Sequence, residues 1–368
     1  MEPFLARGRV LLRIAVVILV LLAGCSSSGG GSHASTNPAR GSLPAGRVVG
    51  GFSDGSSIFG RSSTELGREL DAVKATGATY FRFDVYWAEI ERRHDEFDWT
   101  ATDRIVDAAR SRGLKVLGIL DYSPTWARPR GTDDHYPPSN PADYSNFARA
   151  AVQQYAPRGV HDWEIWNEPN LSQFWKPRPN PSVYASLLAA AYPVIKSTDP
   201  DATVVTGGLS PARDATDGSE IAPVTFLEGV YGAGGGGHFD AVGHHPSNYP
   251  NMPLEPQPDD YNKNAFAGVT PVLHETMQAH GDGEKKIWGT EMGAPTPYNG
   301  MTVDYLAAYI REAYQAWGSW SFTGPLIWYA YRDAGTNPSD IEDHFGITYA
   351  NLMPKEPAYD LITSVFRG

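Results

Sequence analysis

Trp163-Glu164-Ile165-Trp166-Asn167-Glu168-Pro169-Asn170 is the stretch on which the reading of this 368-residue chain turns. An apolar strand pattern runs into Asn167, Glu168 and Pro169, which puts a carboxylate where a strand stops and a loop begins. Helical patterns flank it at 142–154 and 181–198. A strand between two helices is one unit of a repeating arrangement, and the same alternation extends in both directions.

Working outward, strands are expected at 48–52, 79–83, 115–120, 162–166, 203–206, 241–243, 286–289 and 325–329, with further helices at 64–76, 100–111 and 303–316. Strands that alternate with helices pair in parallel through crossovers, and eight such units close into a barrel. About 250 residues suffice for that architecture. The fold class is therefore α/β, a single (β/α)8 TIM barrel over 47–368, with no interior linker. Long loops follow the strands, at 121–140, 169–180, 209–223, 244–262 and 332–357. In such barrels the chemistry lies at the carboxyl ends of the strands. The glycine run at 232–237 leads into a strand rather than out of one, so it reads as a turn on the opposite face and not as a phosphate cradle.

The first residues belong to no fold. Arg7, Arg9 and Arg13 precede a short apolar run, and Leu22-Ala23-Gly24-Cys25 closes it. This is the layout of an export signal, too short to span a bilayer comfortably. Residues 1–24 are read as the signal and 25–46 as a flexible tether. Cys25 is the only cysteine, so no disulfide forms within the chain. The formal net charge is −12. Removing residues 1–24 takes away Glu2 and three arginines, a net +2, and leaves −14. An acidic chain of this kind is a poor binder of nucleic acid through bulk charge.

A second strand-end glutamate stands in Lys286-Ile287-Trp288-Gly289-Thr290-Glu291. Two strand-end carboxyls facing one pocket are the minimum equipment for cleaving a glycosidic bond with retention, which asks for a separation of about 5–5.5 Å. One must keep a proton near neutral pH and the other must stay ionised. Other strand ends add candidates. Arg82 sits among aromatics and calls for a carboxylate partner, with Glu164 or Asp84 as candidates for a structural pair. Glu164 reads as an inward structural carboxylate. His244 and His245 point to opposite sides of one strand and make a poor two-ligand metal site. Trp126 and Trp328 are candidate sugar platforms, with Trp87 and Trp175 weaker ones; core packing is the rival reading for each. Asp333 would bind a hydroxyl or cap its loop.

In combination, the two glutamate motifs resemble clan A of the retaining glycoside hydrolases, most closely family 39, with family 5 as a near neighbour. The resemblance covers nearly all of 48–359. It implies Glu168 as acid/base, Glu291 as nucleophile, Asn167 on the sugar's 2-hydroxyl, and Arg82 and His245 beside the site. Ser247 stands where the family carries a tyrosine, which Tyr249 would supply only if its loop folds back. Leu22 to Cys25 likewise resembles a bacterial lipobox, implying cleavage after Gly24 and lipid on Cys25. The expectation is an exported, lipid-anchored, monomeric glycosidase on the outer face of the membrane, acting on a polysaccharide or oligosaccharide without metal or organic cofactor. A sugar-binding lipoprotein without turnover and a transglycosylase are the alternatives.

Overall fold

A computed structural model describes residues 48–256, 265–298 and 300–368. The signal, Cys25 and the tether lie outside the described residues. Eight parallel strands close in sequential order into a barrel: β1 (Gly50–Ser53), β2 (Tyr80–Tyr86), β3 (Lys115–Asp121), β4 (Asp162–Ile165), β5 (Thr203–Thr206), β6 (Ala241–His244), β7 (Lys286–Met292) and β8 (Thr323–Tyr329). Closure comes from β1 pairing with β8, Gly50 opposite Leu326 and Phe52 opposite Trp328. Each expected strand is present. Outside the barrel run α1 (Ser63–Ala75), α2 (Trp87–Ile90), α3 (Thr100–Arg110), α4 (Pro141–Tyr155), α5 (Pro181–Thr198), α6 (Pro223–Gly232), α7 (Thr270–Ala279), α8 (Val303–Ser319) and α9 (Ala358–Arg367). No helix among the described residues is long and apolar enough to cross a membrane.

Local chemistry starts the helices where they start. Ser62 and Glu65 form a reciprocal capping box ahead of α1. Asn140 and Asn180 cap α4 and α5, each followed by proline at the first helical position, where a missing N–H costs nothing. The glycine run ends α6 and turns back toward β6, with Gly234 and Gly237 at φ 82 and 81. That is the turn expected of it.

Period-two alternation divides each strand between two cores. Outward residues such as Phe81, Trp163, Val242, Leu326 and Trp328 pack with the helices in one large apolar core. Inward residues Tyr80, Leu117, Val205, Ala241, Trp288 and Ile327 form a separate plug inside the barrel. Above the plug the interior turns polar: Ser53, Arg82, Glu164 and Thr290 are buried there and bonded to one another. This polar layer is the floor on which the site is built.

Candidate active site

Arg82 is the hub of the site. It is 1% exposed and spends every N–H it has. Nε and Nη2 donate to the two oxygens of Glu164, at 2.7 and 3.1 Å. Nη1 donates to Ser53 Oγ at 3.0 Å and to Glu291 Oε2 at 2.8 Å. Nη2 also reaches Asn167 Oδ1 at 2.9 Å and faces His245 Nε2 at 3.5 Å. Arg82 therefore meets both Glu164 and the second strand-end glutamate, Glu291, at once. Burial works against the guanidinium charge, but Glu164 first and Glu291 next hold its pKa above the ordinary value. Glu164 is itself anchored from other strands, accepting from Gly208 N at 2.8 Å and Thr290 Oγ1 at 3.1 Å.

Glu168 reaches the mouth because the chain leaves β4 abruptly. Trp166 and Glu168 take φ of 68 and 44, a left-handed conformation that costs a non-glycine residue about 1–3 kcal/mol. Tertiary contacts hold it. The Trp166 indole N–H donates to the Phe174 carbonyl at 2.7 Å, and its ring packs edge-on against Tyr122 and Trp175. Strand alternation had put Trp166 on the face of Glu164; the turn at φ 68 rotates it into that aromatic cluster instead. Asn170 clamps the far end, donating to the carbonyls of Ser210 and Ile221 at 2.8 and 2.9 Å and accepting from Ser210 N at 3.0 Å. The Glu168 carboxyl lies 2.9 Å from His245 Nδ1.

Glu291 is brought in by an irregularity. Between Gly289 and Met292 the register of β7 against β8 shifts. A bulge of this kind re-aims side chains. Thr290 turns into the barrel toward Glu164 while Glu291 turns toward Arg82. Burial raises the Glu291 pKa; His245 in its charged form and Arg82 oppose the rise, and the charges of Glu168 and Glu164 add to it. With its side chain a quarter exposed, the carboxyl faces the open mouth.

The His245 ring lies between the two groups, with Nδ1 2.9 Å from the Glu168 carboxyl and Nε2 3.5 Å from Arg82 Nη2, whose two N–H groups point to Glu164 and Asn167. His244, on the outward face as expected, spans the carbonyls of Leu209 and Ala265.

Several expected residues stand elsewhere. Trp328 is fully buried and faces outward, edge-on to Tyr309 of α8, so it is no sugar platform. The inward residue is its neighbour Tyr329, whose hydroxyl donates to Glu342 at 3.3 Å. Its pKa is raised by burial, then by the charges of Glu342 and Glu291. Trp126 is part-exposed, but its indole N–H is taken by the Glu91 carbonyl and its ring packs on Trp87 and His94; no contact joins it to either glutamate. Trp87 and Trp175 are core residues. Tyr249 is half-buried on the apolar core and makes no bond to Glu291, so it does not replace the expected tyrosine. Ser247 accepts from Gly293 N at 3.2 Å, bracing the backbone just past the nucleophile position. Asp333 caps its loop, bonded to Gly346 N and Lys355.

Glu342, Asp121 and Tyr122 escaped the sequence reading, and Asp84 entered it only as a possible partner of Arg82. On one side stands Glu342, in a short helical turn (Ile341–His344) after β8. Its pKa is pushed up to about 8 by burial, then by the charges of Glu291 and Glu168. On the other side stand Asp84, Asp121 and Tyr122. Burial, followed by the charges of Glu291 and Glu164, raises Asp84 to about 7 against the pull of Arg82. Burial, then the charges of Asp121 and Asp84, raises the Tyr122 pKa. Beyond them Asp133, Asp134 and His135 bring three donor atoms within 4.8 Å of one another. Lys176 already pairs with Asp133, and the Tyr86 hydroxyl with Asp134.

A family model described as cellulase (glycosyl hydrolase family 5) matches residues 51–266, a span that contains Glu168 but ends before Glu291. No curated protein matches the chain. Among solved structures, a family 39 glycoside hydrolase from the gut symbiont Bacteroides cellulosilyticus WH2 is 23% identical, with a TM-score of 0.70 over 88% of this chain and 63% of its own. A family 39 β-xylosidase from Caulobacter crescentus is 20% identical, with a TM-score of 0.66 over 88% and 72%. The exo-β-1,4-mannosidase of Opitutaceae bacterium strain TAV5 is 17% identical, with a TM-score of 0.62 over 87% and 59%. At these identities the likeness is one of fold. This chain thus spans less than two thirds of the length of the first of these enzymes.

Proposed function

The chain belongs to glycosyl hydrolase family 5, and from that premise we propose that it is a retaining O-glycosidase in which Glu168 is the acid/base and Glu291 the nucleophile. The observation that carries the reading is the chain of contacts Glu291–Arg82–His245–Glu168, which gathers carboxyls from two strands around one buried cation. Glu168 gives its proton to the leaving oxygen as a Glu291 oxygen attacks the anomeric carbon. The C–O bond to the leaving group breaks and a glycosyl ester forms. Water, deprotonated by Glu168, then displaces Glu291 from the same carbon. Arg82 keeps Glu291 ionised against its burial, and a carboxylate next to a buried guanidinium is the group expected to attack. Asn167, its Oδ1 held by Arg82, offers its amide to the sugar's 2-hydroxyl.

The test is turnover of a β-glycan panel by Glu168→Gln and Glu291→Ala, with folding verified by circular dichroism. Both should lose nearly all activity, and the first product of the parent should carry the substrate's anomeric configuration by NMR. Full activity in either variant, or an inverted product, would sink the assignment.

The lipobox-like Leu22 to Cys25 supports export and a lipid anchor on Cys25, placing a monomeric catalytic barrel on the outer face of the membrane. Cys25→Ala should move the protein from the membrane fraction to the medium.

A further inference from the structure

The reaction needs two carboxyls and one cation, yet the mouth holds more acid than that. Asp84 lies two residues beyond Arg82 on the inner face of β2, buried to 7% exposure, and no donor among the described residues reaches it. Asp121, inward at the end of the adjacent strand β3, is fully buried, and neither of its carboxyl oxygens has a partner. Glu342 closes the opposite side with one long bond from Tyr329. Buried polar groups are nearly always hydrogen-bonded, so an orphaned carboxyl at the mouth of a site marks where a ligand's donors belong.

Arg82 cannot serve these acids, because its N–H groups go to Glu164, Ser53, Glu291 and Asn167. The nearest lysine in the loop, Lys176, goes to Asp133. What the Asp84–Asp121 pair lacks is a bonded donor: the Arg82 charge pulls on Asp84 without donating to it. A sugar hydroxyl brings one donor and no charge. An ammonium group brings three donors and a charge. An acetamide in the same place is neutral, bulkier, and presents a carbonyl acceptor to the acids.

Building on the glycosidase reading, we propose that the Asp84–Asp121 side of the mouth binds the ammonium group of an amino sugar, so that the substrate class is a β-linked hexosamine polymer with free rather than acetylated amines. The acidic balance of the whole chain fits a polycationic glycan, drawing it in at low salt.

Binding tests this without turnover. In the full chain carrying Glu168→Gln, calorimetry at about pH 7, where an amine is still largely protonated and Asp84 is partly ionised, compares β-1,4-linked tetramers of glucosamine, N-acetylglucosamine and glucose. The free amine should bind about tenfold or more tightly than either neutral tetramer, one decade being about 1.4 kcal/mol. Its advantage should shrink as salt rises, and adding Asp84→Asn should remove most of it. Equal or weaker binding of the glucosamine tetramer, or an advantage that salt leaves unmoved, would overturn the proposal even if Asp84→Asn fails to fold. Turnover in the parent is scored separately: cleavage of neutral tetramers without amine preference leaves the glycosidase reading standing and removes only this one.

Discussion

His245 touches Glu168 with one ring nitrogen, at 2.9 Å, and faces Arg82 with the other, at 3.5 Å. The imidazole therefore links the buried guanidinium to the carboxyl proposed as acid/base. His245→Ala should lower kcat by about 10²-fold, the scale of a misplaced reacting group. The loss should be larger for sugars with poor leaving groups than for activated aryl glycosides, whose departure needs little acid help. An equal loss on both would mean that the ring acts elsewhere.

Arg82 holds the floor as well as the nucleophile. Arg82→Met leaves Glu164 buried without its partner, an expected cost of about 3–5 kcal/mol in urea unfolding. Adding Glu164→Gln should return much of that stability without restoring activity, because Glu291 still lacks its cation. Activity that recovers with stability would show the pair to be purely structural.

Glu342 titrates in the working range. Its folded pKa of about 8 lies above the unfolded value of about 4.3, so between those limits the native state holds more protons than the unfolded one. The slope of stability against pH is then negative: this residue's contribution is most favourable below about pH 4.3 and declines until about pH 8. Glu342→Gln should gain stability relative to the parent as pH rises through that window, read from paired denaturation curves. A constant difference between the two proteins would contradict the assignment.

Gly208 is where the backbone makes room for the imidazole. A Cβ there would overlap His245 Nε2 and crowd Thr290 Oγ1. Gly208→Ala should cost about 1–3 kcal/mol of stability and lower kcat by about 10²-fold through His245, whereas Gly232→Ala, which meets open space, should leave both unchanged within error.

The barrel was legible because its signals are local: short apolar runs, capped helices, and long loops after strands. The helices α2, α6, α7 and α9 were not singled out, since they run for only 4 or 10 residues and carry too short an apolar stripe. Glu168 and Glu291 were legible as motif ends. The supporting wall was not, for two physical reasons. Strand β8 is apolar on both faces, so its sequence does not fix which of Trp328 and Tyr329 points inward. Glu342 sits in a long loop without periodicity, and only tertiary folding brings it beside the pair. Asp84 was visible as a charge in an aromatic strand, but its lack of any donor became apparent only when all of Arg82's bonds were placed.

The register shift in β7 has a consequence for how the strand tolerates change in length. Consecutive residues of a regular strand cannot both serve the interior, yet Thr290 and Glu291 do. The strand is out of phase with itself by one residue at the point where the chemistry begins. Deleting Gly289 would hand the inward place of Thr290 to Glu291 and turn Thr290 out toward the helices, away from Glu164. The Glu291 carboxyl would stay inside the barrel, one residue deeper than the position from which it now meets Arg82.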